Sequence, residues 1–293
     1  MIPVLLGLTL LIFIILHLRG DPVMQFVPPD ATPEDIEVLR HAYGFDRPLV
    51  VQYLSYMFRA VQGDFGESFR YRQAALPLVL ERVPATLTLT FVSLVVAWLI
   101  ALPTGIISAV RQDSVLDLIA TCVSVLGRAM PNYWLGIMLI LIFSVQLRVL
   151  PVSGPGDWRH LVLPATTLGV SVATTLTRLI RSSMLEVIRH EYVTTARSKG
   201  LIERVVVSRH VLRNSLISVI TVFGLQTGWL LGGAVIVEQV FAWPGMGRLM
   251  LQAVFTRDMA IVQAGVFVSA LVIMAINLLV DISYTLLDPR IRY

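Results

Sequence analysis

The sequence predicts an all-α integral membrane protein with six transmembrane helices, and three observations carry that expectation. Of 293 residues, 56% are hydrophobic and only 14% charged, with a mean hydropathy of +0.78; a soluble domain carries about a quarter charged residues. A crossing of the ~30 Å hydrocarbon core takes ~20 mostly apolar residues, and runs at about 2–18, 83–107, 128–147, 161–180, 215–237 and 262–287 answer to that length. The single cysteine, Cys122, lies in an apolar run, which leaves no disulfide framework and no cysteine-based metal spacing.

The first run, Ile2 to Leu18, lacks the basic leading region and small-residue cleavage site of a signal peptide and reads as a membrane helix. An apolar helix that starts at Met1 itself predicts that further residues precede this start codon. Residues 19–82 read as a small ordered helical lobe outside the membrane. Helical periodicity is visible from Glu34 to His41 and from Leu49 to Val61, and Thr32 before Pro33, Glu34 and Asp35 has the form of an N-cap with acids in the first turn. The stretch 113–147 is apolar for about 35 positions, far more than one crossing uses. Pro131 is expected to divide it into a helix over 113–127 that starts at the membrane surface and a crossing that follows Arg128.

Orientation follows from the short loops, where a Lys/Arg excess marks the cytosolic side. Between 178 and 213 lie Arg178, Arg181, Arg189, Arg197, Lys199, Arg204, Arg209 and Arg213, against Glu186, Glu191 and Glu203. That loop is therefore expected in the cytosol, and with six spans so are both termini; Arg290 and Arg292 agree. The overall excess of 23 Lys+Arg over 19 Asp+Glu is explained by such loops rather than by nucleic acid. No GxxxxGK[ST] phosphate loop occurs, so the chain is expected to hold no ATP site. There is no GxSxG elbow for an intramembrane hydrolase, and the five histidines show no metal-binding spacing.

Inside the basic loop, Glu191 to Lys199 has helical composition and Gly200 stands where a left-handed cap would end the helix. A second short helical run follows from Glu203. Two short helices at a sharp turn make a rigid knob, which suits either attraction to anionic lipid or docking to another protein.

Longer strings of residues decide between the two. Glu191-Tyr192, Ala196-Arg197-Ser198-Lys199-Gly200 and His210-Val211-Leu212-Arg213-Asn214-Ser215 resemble the cytosolic loop of permease subunits in binding-protein-dependent ABC importers, in the dipeptide, oligopeptide, nickel and glutathione branch. The resemblance runs on through Gly20-Asp21-Pro22, Tyr43-Gly44-Phe45-Asp46-Arg47-Pro48-Leu49, Gly63-Asp64-Phe65-Gly66-Glu67-Ser68, Pro131-Asn132-Tyr133-Trp134-Leu135-Gly136, Leu163-Pro164 and Val237-Glu238-Gln239-Val240-Phe241-Ala242-Trp243-Pro244-Gly245-Met246-Gly247. The general importer motif begins Glu-Ala-Ala and ends Leu-Pro. Here Thr194, Thr195 and Ala196 open it, Gly200 is kept, and Leu212-Arg213 close it, with Glu191 the candidate to replace the missing glutamate.

The resemblance implies a type I ABC importer permease fold: a first membrane helix at 1–18, an external lobe at 19–82, and a five-helix core at 83–293 with a cytosolic coupling loop at 181–214. It implies a multi-pass protein of the bacterial inner membrane that is not itself an enzyme. Its partners would be a second related permease subunit, two ATP-binding subunits carrying ATP and Mg, and an external solute-binding protein. The coupling residues would be Glu191, Tyr192, Thr194, Thr195, Ala196, Lys199 and Gly200. Trp243, Pro244 and Gly245 would face the binding protein, the alternative being an aromatic belt at the membrane interface. Charges in or near spans mark candidate path or gate residues: Glu238, Arg128 and Asp281, the last within reach of Arg290 or Arg292. The cargo class implied is di- or oligopeptides, with glutathione and nickel as alternatives. A secondary transporter driven by an ion gradient would instead show internal repeats with paired broken helices, which are not visible here.

Overall fold

The structure, a computed structural model, describes residues 2–18, 23, 32–44, 46–152, 154 and 156–287. Gly20-Asp21-Pro22, Phe45, Arg290 and Arg292 lie outside these residues. The helices are α1 Ile2–Leu18, α2 Pro33–Tyr43, α3 Leu49–Val61, α4 Ala75–Leu80, α5 Val83–Val110, α6 Val115–Ala129, α7 Asn132–Leu139, α8 Arg159–Ile188, α9 Glu191–Ser198, α10 Glu203–Val205, α11 Arg213–Val240, α12 Met246–Thr256 and α13 Met259–Leu287. A π-helical segment, Ile140–Gln146, continues α7, and another, Val206–Leu212, joins α10 to α11.

Four helical stretches are long and apolar enough to cross a membrane: Ala75–Val110, Arg159–Ile188, Glu203–Val240 and Met259–Ile282. Val115–Ala129 and Asn132–Gln146, bent by 106° at their break, count together as one crossing, the third in chain order, and α1, 17 mostly apolar residues long, is the first, at the short end of the spanning range. The bend falls where Pro131 predicts it. The proline ring disfavours a helical conformation for the preceding residue, and Met130 is extended at φ −78° and ψ 125°.

The second short helix expected after Gly200 is not separate. Glu203–Val240 is a continuous helical stretch of 38 residues, about 57 Å at a rise of 1.5 Å per residue, so it outruns the hydrocarbon core by several turns. One departure from the general importer motif falls within this stretch. Arg213 stands where that motif has proline, and a proline there would remove a backbone donor and clash with the preceding turn. With arginine there the backbone N–H is kept, and the helix runs through the π-helical segment into α11.

The chain divides into two compact units, one of residues 1–83 and 249–274, the other of residues 84–248 and 275–293. In the first, α3 lies against α1: Phe13 meets Tyr53 edge-on at 5.4 Å between centroids and stacks on Tyr56 at 6.4 Å. Thr9, buried in the apolar α1, shares a 3.2 Å hydrogen bond with the Tyr53 hydroxyl. Helix α2 begins at a full capping box, in which Asp35 N–H donates to Thr32 Oγ1 (3.3 Å) and Thr32 N–H to Asp35 Oδ2 (2.9 Å). Those bonds hold the exposed Asp35 carboxyl below its usual range. Ser68 Oγ donates to the buried Asp258 carboxylate at 2.5 Å, and Arg70 N–H reaches the same oxygen at 3.3 Å. The reversal around residues 67–74 is thereby fixed to the start of α13.

The second unit is built around α8. Leu168, Val172, Leu176, Ile180 and Met184, spaced by four, form a fully buried stripe. It faces Leu89, Ala97, Ala101 and Ala109 of α5 in one cluster. Glycine permits the close approach: a Cβ on Gly169 would stand 2.8 Å from the Ser93 carbonyl, and one on Gly105 would stand 2.7 Å from Cβ and Cγ2 of Ile180. Gly127 of α6 gives way in the same manner to Thr174 Cγ2 at 2.6 Å, and Thr104 and Thr177 share a hydrogen bond of 2.9 Å across α5 and α8.

Gly105→Ala is expected to lower stability by about 1–3 kcal/mol, the cost of overpacking a tight contact. Ile180→Ala, which removes Cγ2, should recover part of that loss. Thermal unfolding in detergent measures both, and an unchanged midpoint for Gly105→Ala would show that the helices do not approach this closely.

Candidate functional site

At the basic loop α8 ends at Ile188, and only Arg189 and His190 separate it from α9. Helix α9 is rooted by one face: Val193 and Ala196 are buried, packed in a cluster with Val206 and Val211 of the π-helical segment. Glu191, Tyr192, Thr194, Thr195, Lys199 and Gly200 are exposed on the other. The knob's exposed surface is partly apolar, since Tyr192, Leu201 and Ile202 are 43%, 40% and 67% exposed. Gly200 has φ +79°, and a Cβ added there would meet no atom within 4 Å, so backbone conformation, not crowding, calls for glycine.

Polar contacts then lock the turn. Arg197 forms a fork on Glu203, with Nε at 3.1 Å and Nη2 at 2.7 Å from its two oxygens. Glu203 opens the long helix, in the polar stretch that precedes its apolar part. Asn214 Nδ2 donates to the Tyr192 hydroxyl (3.1 Å) and to the His210 carbonyl (2.7 Å), which ties the start of α9 to the base of α11. The string Glu191-Tyr192 through Asn214 is therefore one spatial object, a short helix bonded to the long one.

At the far end of α11 the residues Phe241 to Gly247 fold into a tight turn over Glu238. This glutamate is 0% exposed. Its Oε1 accepts from Thr86 Oγ1 of α5 at 2.6 Å, and Oε2 accepts from Arg248 N–H at 2.9 Å. Thr86 Oγ1 in turn accepts from Met246 N–H at 2.8 Å. The carboxyl group occupies space that side chains at 245 and 247 would need: a Cβ on Gly245 would overlap Oε1, and one on Gly247 would stand 3.0 Å from Oε2. Gly245 and Glu238 thus answer to one packing requirement, while a Cβ on Gly247 would also meet Val235 Cγ2 at 2.7 Å and its Cα at 2.8 Å.

The indole of Trp243 is buried and donates from Nε1 to the Ala85 carbonyl at 2.9 Å, while Arg248 Nη1 closes the turn on the Ala242 carbonyl at 2.6 Å. The surface expected of Trp243, Pro244 and Gly245 is for the most part turned inward, with Pro244 alone of the three partly exposed. An aromatic belt position for Trp243 is likewise replaced by a buried one, because its N–H finds a carbonyl on α5.

Of the three charges singled out in or near spans, Glu238 is buried while Arg128 and Asp281 are exposed on α6 and α13; they do not form one buried cluster. Among the described residues no group of His, Cys, Asp and Glu is arranged to hold a metal ion. The pairing that sequence reasoning missed is Asp117 with Arg181. Asp117, the single acidic residue between 114 and 156, carries a readable signal as a lone charge in an apolar run. Arg181, by contrast, reads in sequence only as one more positive residue of the loop.

Apolar helices long enough to cross a membrane, with a basic knob between Arg159–Ile188 and Glu203–Val240, make this a multi-pass membrane protein. Residues 101–293 match the family described as "Binding-protein-dependent transport system inner membrane component", and residues 1–90 match "Binding-prot-dependent transport system membrane comp, N-term". The chain belongs to this family of ABC importer permeases, the non-catalytic inner-membrane components of such systems. It is 41% identical over 294 residues to the glutathione transport system permease protein GsiC of Escherichia coli (strain K12), covering 100% of this chain and 96% of that one. GsiC of Shigella flexneri serotype 5b (strain 8401) matches to the same extent. In fold it is similar to an inward-facing form of the MetNI methionine ABC transporter (TM-score 0.61, 20% identity, 72% of this chain and 96% of that one). An amino acid ABC transporter solved with histidines gives a TM-score of 0.54 at 17% identity, over 73% and 94% of the two chains.

Because Glu238 fills the space beside Gly245, Gly245→Ala should destabilise the chain strongly in the native background and much less in Glu238→Ala. Glu238→Ala alone should cost about 1–3 kcal/mol, the penalty for stripping buried donors of their acceptor. Thermal unfolding of the single and double variants tests this; strictly additive losses would contradict the shared space.

Proposed function

We propose that this chain forms one half of the translocation path of an ATP-driven importer for short peptides, with the tripeptide glutathione as its first cargo to test. The observation that carries the cargo class is the identity of 41% along the whole chain to glutathione permeases. In this reading the basic loop faces the cytosol, as its arginines require, both termini lie on the same side, and residues 19–82 with the 241–247 turn face outward. A second permease chain completes the path, two ATP-binding subunits supply the energy, and an external binding protein delivers the solute.

The loop at 181–214 is the coupling element. A helix rooted by Val193 and Ala196 and bonded through Tyr192 to Asn214 has few internal freedoms, so displacement of its exposed face displaces α8 and α11. Its apolar tip, Tyr192, Leu201 and Ile202, suits a groove on an ATP-binding subunit. Glu191 stands in the first turn of α9, where a negative charge complements the helix dipole, and Thr194 and Thr195 lie exposed beside it. Closure of the ATPase pair would then be felt as a movement of packed helices between two arrangements.

Reconstitution of the chain with its partner permease, ATP-binding subunits and binding protein in liposomes tests the cargo. Uptake of labelled glutathione that depends on ATP and on the binding protein is expected. Uptake of nickel or of longer peptides in its place would reassign the cargo, and uptake driven by an ion gradient without ATP would overturn the importer reading. The lever has its own test. Gly200→Val places a β-branched residue at φ +79°, a strain of about 1–2 kcal/mol, and should leave ATPase activity while reducing transport per ATP. Gly200→Asn, a residue that tolerates this conformation, should transport nearly normally. Equal behaviour of the two variants would remove the turn from the mechanism.

A further inference from the structure

The carboxylate of Asp117, in the first turn of α6, is 4% exposed and saturated with donors. Oδ1 accepts from Arg181 Nε at 2.7 Å and from the Ser108 hydroxyl; Oδ2 accepts from Arg181 Nη2 at 2.7 Å and from the Asp113 N–H at 3.0 Å. Four elements meet at this one group: the end of α5 through Ser108, the 111–114 turn through Asp113, α6 through Asp117 itself, and α8 through Arg181. Ser114 caps α6 by accepting from the Asp117 N–H at 3.3 Å, so the backbone that carries the carboxylate is held as well.

Energetics say what such a pair is for. Taking two charges out of water is costly, and an apolar pair of similar volume is often as stable. A forked, fully satisfied pair does, however, define one relative position of the groups it joins. Its place in the chain is equally specific. Arg181 lies ten residues before Glu191, about 15 Å along the helix axis, with only a two-residue joint between α8 and the knob. Further from the knob, the contacts at Gly105–Ile180, Thr104–Thr177 and Gly127–Thr174 already press α5 and α6 onto α8 with no room to slide.

We infer that Asp117 and Arg181 form the joint that makes α5, α6 and α8 a single rigid body, so that a displacement received by α9 reaches α5 and the bent third crossing without loss. The inference rests on the coupling role proposed for the loop at 181–214. Asp117 and Arg181 are positioning residues in it: they touch neither cargo nor nucleotide, and act by keeping three helices in step.

The chain supplies its own probe. Cys122, its single cysteine, is exposed on α6, and Ser182 is exposed on α8 beside the joint. In the complete importer in lipid nanodiscs, spin labels on Cys122 and on Ser182→Cys should report one narrow distance that is the same without nucleotide and with ATP trapped by vanadate. A label on Cys122 paired with one on the partner permease should, in the same samples, report a change.

Arg181→Lys keeps the positive charge but loses the fork. It should broaden the Cys122–Ser182→Cys distance on ATP binding and lower glutathione uptake per ATP hydrolysed several-fold, with thermal unfolding close to that of the native chain. Asp117→Asn should broaden the distance and lower the ratio more strongly, with a loss of thermal stability as well, because an amide NH2 would face donors on every side. A within-chain distance that shifts with nucleotide in the unsubstituted joint would overturn the inference, as would an Arg181→Lys importer with an unchanged uptake-to-hydrolysis ratio. If instead the distance to the partner permease ignores nucleotide, the coupling reading itself fails, which separates the two.

Discussion

Helices in hydrocarbon gain little by burying apolar surface against one another, since lipid tails are as apolar as leucine. Close packing and polar contacts must therefore hold the core of this permease. The contact between α5 and α8 meets that demand with small residues: Gly105 and Gly169 admit Ile180 and the Ser93 carbonyl at distances a Cβ would forbid. Thr104 and Thr177 add a hydrogen bond where the helices touch. The buried stripe from Leu168 to Met184 lines up along α8 because its period of four matches the helix, and the rest of the second unit is arranged around that line.

Polar pins at the two ends of α5 complete the arrangement. Near its start, Thr86 bonds to Glu238 and the turn that follows α11; near its end, Ser108 bonds to Asp117, which Arg181 also holds. Both carboxylates are buried, and both have donors for their oxygens supplied by residues that cannot move independently. Such groups are costly to bury and gain most when every partner is in place, so they define positions more than they add stability. Gly245 belongs to the same logic, because the Glu238 carboxyl fills the space a side chain would take, and at Gly247 Val235 adds to that crowding.

The basic loop shows how a local sequence change reshapes a larger element. Its helix and its left-handed glycine follow from residues within one turn. The long helix beyond it carries arginine, not proline, at 213 and runs unbroken from Glu203 to Val240. The knob is thus braced against a continuous helix, with Asn214 reaching back to Tyr192.

Whatever depends on neighbours in the chain is legible in the sequence: the helical class, the number of apolar crossings, the bend at Pro131, the cap at Thr32, the turn at Gly200, and the family through its ordered motifs. These rest on hydrophobic period, proline sterics and the φ of single residues, all local quantities. Which side chains meet depends instead on how distant helices pack. Glu238 and Thr86 are 152 residues apart, and Asp117 and Arg181 are 64 apart; no periodicity links them. Trp243 reads as a surface aromatic because its partner, the Ala85 carbonyl, lies 158 residues away. A charge or ring in an apolar run announces that it needs a partner, and only the folded arrangement of the helices says which one it has.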